Sequence, residues 1–168
     1  MYISVSVNNV KKFKEVLLYI LTKSSVEEDV IYKLLYFIDF DFYEKYEEQF
    51  FGAFYKKNSC GPIPIQFEAI VNSMISTREL RKIKIFYSQK KEEKFLPLRE
   101  PNLDCLSGKE IAVIDEVLGR FYDKSASQIS EYSKGDIPYM VTDDGEIIDY
   151  ETVFYRTPEY SVRDYENE

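Results

Sequence analysis

The sequence predicts a mainly α, compact helical domain of about six or seven helices with a small β-hairpin. Three observations carry that prediction. Apolar residues recur at helical spacing in several separate blocks, and Ser-x-x-Glu or Ser-x-x-Gln signatures precede three of those blocks. One short stretch alternates between apolar and charged residues instead. The 168 residues suit a single domain, and a hydrophobic content of 45% with 15 tyrosines and 12 phenylalanines is ample for a buried core. Tyrosine is enriched at interfaces, but AT-rich coding bias raises it as well, so its number locates no interface.

Taken in order, Val10, Phe13, Val16, Leu17, Ile20 and Leu21 line one face of a first helix. Ser24 and Ser25, each with a glutamate three residues on, predict the cap of a second helix running to about Glu48. Residues 50–58 are aromatic-rich and expected to run extended. Cys60-Gly61-Pro62-Ile63-Pro64 is expected to break regular structure, with Pro64 in the first turn of a helix built on Phe67, Ile70, Val71, Met74 and Ile75. Residues 82–88 and 94–99 predict the hairpin, with the charged Lys90–Lys94 stretch as its connection. Ser107 with Glu110 caps a helix carrying Ile111, Ile114, Val117, Leu118 and Phe121, and Leu106 with Ile111 supplies a hydrophobic staple. Ser125 with Gln128 opens a further short helix, and Asp143-Asp144-Gly145 marks a turn before an amphipathic segment near 149–155. The expected organisation is a domain over 1–155 and an acidic, frayed tail over 156–168.

Net charge is −8, and its distribution is uneven: residues 143–168 carry nine acidic and two basic side chains, the remainder 21 and 20. Neither part presents the basic face that a duplex requires, so no direct nucleic-acid contact is expected. No run approaches a bilayer span and the N-terminus has no signal-peptide pattern, so a cytoplasmic protein without membrane contact is expected. Cys60 and Cys105 form no paired metal motif, and reduced thiols are the simpler reading over one disulfide.

The chain contains no histidine, which removes the usual general base and the commonest zinc ligand, and it has no phosphate-cradling glycine motif. No catalytic residue, metal ligand or cofactor is therefore expected. Asp39 and Asp41, two apart on a helix, do not face the same way. Asp41 is expected in solvent, while Asp39, in an apolar neighbourhood, is expected to be paired or hydrogen-bonded, with partner contact and catalysis as lesser alternatives. Cys60 is read as a small residue packing at a turn. The stretch from Arg78 to Lys94 holds seven basic and three acidic residues. It is read as a solvated face, as a mate for the acidic tail, or as a surface for an acidic partner.

Three blocks taken together resemble the Panacea domain family, which includes SocA-like antitoxins and phage-associated GepA-like proteins. Lys33-Leu34-Leu35-Tyr36-Phe37-Ile38-Asp39 is similar to its K-L-L-Y-x-x-D helix, and Gly61-Pro62-Ile63-Pro64 to its G-P-V-x turn. Leu106–Leu118, Ser125-Ala126 and Ile129–Tyr139 resemble its C-terminal helix pair, so the likeness spans roughly residues 12–155. The matched positions are Lys33, Tyr36, Asp39, Gly61, Pro62, Ser125, Ala126 and Pro138, none of which implies a catalytic step. The chain departs from the family pattern at Lys134, where histidine is usual, and at Tyr139, where tryptophan is usual. The resemblance implies an antitoxin that neutralises a cognate toxin protein by direct binding. An adaptor delivering a client to a cellular protease is the alternative. Aromatic density nominates Phe51, Phe54, Tyr55, Tyr132 and Tyr139 as partner contacts, together with Lys134.

Overall fold

The computed structural model describes residues 7–167, so residues 1–6 of the expected domain and residue 168 of the expected tail lie outside it. The fold is mainly α, as expected, with two small antiparallel hairpins where one was predicted. The α-helices are α1 (Val7–Lys23), α2 (Glu28–Tyr46), α3 (Phe67–Ser76), α4 (Gly108–Phe121), α5 (Ala126–Lys134) and α6 (Ile137–Met140). Short 3-10 turns occupy Leu103–Cys105, Tyr150–Tyr155 and Tyr165–Asn167.

Helix α2 is the axis of the molecule. Thirteen of its 19 residues are buried, on every side of the helix rather than along one stripe. A helix covered all round must lie inside the domain. Aromatic rings supply much of the cover: Phe37 meets Phe121 of α4 and Tyr132 of α5, and Phe40 stacks on Tyr150 at a centroid distance of 4.3 Å. The predicted Ser24/Ser25 cap is not used. The helix begins two or three residues later, with Glu27 at the N-cap and no side-chain cap, and Glu27 also pairs with Lys94 in an isolated β-bridge. Its end is sharp, with Glu47 in the left-handed region at φ 54°. The two downstream capping boxes, Ser107 with Glu110 and Ser125 with Gln128, form as predicted.

Strands β1 (Tyr55–Asn58) and β2 (Gly61–Pro64) form the unexpected hairpin, so Gly61–Pro64 is a strand and not a break, and Pro64 closes it without entering α3. Proline is tolerated because Pro62 and Pro64 stand opposite Lys57 and Tyr55. Those two residues turn their own peptide groups the other way, toward residues 146 and 148. No N–H is needed at either proline. Gly61 has φ +128°, and a Cβ there would lie 2.7 Å from Lys33 Cε and 3.1 Å from Ser133 Oγ. Glycine lets β2 press against both α2 and α5.

The second hairpin pairs β3 (Leu80–Tyr87) with β4 (Lys90–Pro97) through Ser88-Gln89. Lys90–Lys94 is thus strand and not connection. Leu80 and Phe95 are buried at its base, where Phe95 meets Phe67 of α3, while Phe86 and Tyr87 at its far end are 74% and 54% exposed.

Gly61→Ala is expected to destabilise the fold by at least about 2 kcal/mol, from backbone strain and the collision with Lys33. Urea unfolding checks it, with a lowered midpoint and an unchanged m-value.

Candidate functional site

Several of the residues singled out by sequence, among them Lys33, Gly61, Pro62, Pro138 and Tyr139, lie along the seam between α2, β2, α5 and α6. Lys33 is 2% exposed, lies against Gly61, and pairs with Asp29 at 3.4 Å. Ser130 Oγ donates to the Cys60 carbonyl, and Ser133 Oγ donates to the Ser130 carbonyl, so α5 grips the β1–β2 turn. Pro62 and Pro138 are buried, Ser125 caps α5, and Ala126 is exposed in its first turn. Tyr139, where the family pattern has tryptophan, is 6% exposed and donates its hydroxyl to the Asn58 carbonyl at 2.5 Å. Lys134 is half-buried and pairs with Glu131 at 3.7 Å, so a local surface contact replaces whatever a histidine would make.

Asp39 has the hydrogen-bonded role expected of it. Its carboxylate accepts from the Phe51 N–H at 2.8 Å, the Gly52 N–H at 3.3 Å and the Tyr55 hydroxyl at 2.7 Å. No cation faces it. Burial therefore dominates and pushes its carboxyl up to about 6 despite these donors.

Asp41 is a correction. It is buried, not solvated, and belongs to an ion network absent from the sequence expectations. Arg156 reaches into the core with its side chain fully covered. Its Nε and Nη2 bind Asp136 at 2.9 and 2.7 Å, while Nη1 binds Asp41 at 2.8 Å and Glu44 at 3.1 Å. Arg120 meets the other Asp41 oxygen at 3.0 Å, and the Tyr36 hydroxyl donates to Asp136 at 2.8 Å. Burial alone disfavours the Arg156 charge, but Asp41 and Asp136 hold its pKa well above the ordinary value. Burial, and then the Asp136 charge, hold the Tyr36 hydroxyl protonated far above its usual range.

The expected frayed tail is a second correction. Beyond Arg156, the Val162 N–H and the Ser161 and Tyr165 hydroxyls donate to Glu44, and Tyr160 packs its ring on Tyr132. A boundary at residue 155 would cut through this packing. A third correction concerns the aromatic contacts. Phe51 and Tyr55 are 0% exposed and Tyr139 nearly so, which makes them core; only Phe54, Tyr132 and Lys134 of that set retain partial access.

Two surface features complete the inventory. A groove of about 440 Å³ between the start of α2, the end of α4 and the start of α5 has Val30, Leu34, Leu118, Phe121 and Ile129 in its lining, with Lys23, Lys94 and Lys124 among its charged residues. The β3–β4 finger is the other. Among the described residues no cluster of three or more carboxylate or thiol ligands could hold a metal ion. No helix there is long and apolar enough to cross a membrane. Cys60 is exposed at its turn, and Cys105 is half-buried and unpaired.

The fold and this seam define a helical domain closed by its own C-terminal segment around a buried arginine. A protein-family profile, the antitoxin SocA-like Panacea domain, matches residues 31–137, more than half of the chain, and the chain belongs to that family. The matched stretch contains Asp41, Glu44 and Asp136 but ends before Arg156. No curated protein and no solved structure matches the chain.

Two outcomes follow from the buried charges. Arg156→Met is expected to cost about 3–5 kcal/mol, because it removes the cation that Asp41, Glu44 and Asp136 share. Urea unfolding of the variant and the wild type at pH 7 reads the loss. For Asp39, the raised folded-state pKa means that the proton-linked stability is complete below about pH 4 and is lost as pH rises through 6. The wild type should therefore lose on the order of 3 kcal/mol relative to Asp39→Asn between pH 4 and 7.

Proposed function

We propose that this protein is an antitoxin that neutralises a co-expressed toxin by direct protein–protein binding, in the cytoplasm and without a catalytic step. The observation that carries this reading is the SocA-like Panacea match across residues 31–137. The interior supports it in kind. Lys33, Tyr36, Asp39, Gly61 and Pro62 are buried and engaged with neighbouring elements of the fold. Partner choice then falls to the surface, where one scaffold can present different side chains to different toxins.

The adaptor alternative, which delivers the toxin to a protease, draws its second contact from a free tail or from the basic hairpin. The packing of Arg156–Tyr165 onto Glu44 favours neutralisation, because it ties that tail down.

The test is capture of the protein from native cells and co-expression with the product of the neighbouring open reading frame. That product should arrest growth alone, and the antitoxin should restore growth while the toxin remains at full abundance in a stable complex. Rescue accompanied by protease-dependent disappearance of the toxin supports adaptation instead. Failure to rescue any captured neighbour removes the antitoxin reading.

A further inference from the structure

We infer that the β3–β4 hairpin is a docking finger that inserts into an acidic cleft of the partner protein, with Phe86 and Tyr87 as its apolar tip and Arg81, Lys84 and Lys90 as its cationic contacts. The inference rests on the antitoxin reading for the identity of that partner.

The base of the finger is braced. Glu79 precedes β3 and Arg99 follows β4, and Arg99 binds Glu79 at 2.8 Å and Glu15 of α1 through both oxygens at 2.6 and 2.7 Å. The Leu98 N–H closes the same neck on the Glu79 carbonyl, and Phe95 packs on Phe67. The tip has no such cover. Phe86, 74% exposed, and Tyr87, 54% exposed, lie on opposite faces of adjacent positions, so each side of the finger presents one ring.

Charge states the partner's chemistry. Residues 80–97 hold six basic and two acidic side chains, a balance of +4, whereas the rest of the chain carries −12. Glu92 and Glu93 are taken up by Lys82, Lys91 and Lys94 within the hairpin; Arg81 and Lys90 form no ion pair among the described residues, and Lys84, opposite Glu93, feels its charge without forming a close pair. Lysines on an open edge deter pairing with a second hairpin of like charge, which accounts for the cations. It does not account for two exposed rings beside them. Cations and rings together suit a desolvated apolar contact rimmed by carboxylates. A nucleic acid would also welcome lysine and aromatic groups, but it would have to approach a protein of net charge −8.

The experiment uses the full chain, the triple variant Arg81→Glu/Lys84→Glu/Lys90→Glu, and the double variant Phe86→Ser/Tyr87→Ser. Each is titrated with the co-expressed toxin, with a glutamate–tyrosine random copolymer as a defined acidic probe, and with poly(U) RNA. Toxin and copolymer affinities are expected to fall at least tenfold in the triple variant and with added salt. The toxin affinity should also fall at least tenfold in the double variant, with thermal midpoints close to wild type. Should the triple variant misfold, the double variant decides alone. Equal toxin affinity and equal growth rescue by wild type and variants overturn the finger while leaving the antitoxin reading intact; absence of rescue by wild type removes that reading itself. Tighter binding of poly(U) than of the copolymer overturns the protein-cleft assignment. Self-association that is abolished by the triple variant overturns it in favour of a second copy.

Discussion

Arg156 is the constraint on which the rest of the structure depends. One guanidinium joins Asp41 and Glu44 on α2 to Asp136 just before α6, and so fastens three segments far apart in sequence. Burying four charges is costly, and removing one partner of such a set is worse than never having had it. The arrangement holds because nearly every remaining acceptor site is filled. Arg120 takes the second Asp41 oxygen, Tyr36 supports Asp136, and the tail itself supplies donors to Glu44. The bidentate grip on Asp136 also fixes direction, which a lysine ammonium could not do. Stability and closure of the C-terminal segment are therefore one property.

Asp39 and Asp41 show how the same residue type is used in two ways on one helix. Two positions apart, they point to different sides of α2. Asp41 meets arginines, whereas Asp39 meets peptide N–H groups and tyrosine hydroxyls. Burial raises the carboxyl pKa on both sides; on the first, the Arg156 and Arg120 charges work against it, whereas on the second only hydrogen-bond donors do. Asp39 thereby ties the aromatic segment at Phe51–Tyr55 to α2, and that segment leads directly into β1. The aromatic density that suggested a docking surface is the lining of this joint.

The legible parts of the fold were those decided locally. The stripes of α1, α3 and α4 and both downstream capping boxes follow from residues within a few positions of each other. The Asp39 role was also legible, since Ile38 and Phe40 placed it in an apolar setting. What escaped was decided at a distance. Asp41 read as solvated until a tail more than a hundred residues away returns to cover it; the hint was a helix apolar on every side, which leaves no wet face for it. Gly61–Pro64 read as a break because its acceptability as strand depends on residues 146–148 taking the hydrogen bonds of β1. The β3–β4 turn at Ser88-Gln89 lacks the Asn-Gly or Asp-Gly signature, so the charged strand beside it passed for the loop.

The geometry of α2 separates what holds the molecule together from what it presents. The helix is about 28 Å long at 1.5 Å per residue. Its N-terminal end touches β4 through the Glu27–Lys94 bridge, and its C-terminal end holds Arg156 and the tail at Glu44. The cationic finger and the buried ion network thus lie toward opposite ends of one rigid rod. Surface substitutions at the finger leave the closing network untouched, so contact residues there are free to vary without loss of the fold. A scaffold built this way can exchange partners cheaply at one end because its cohesion is concentrated at the other.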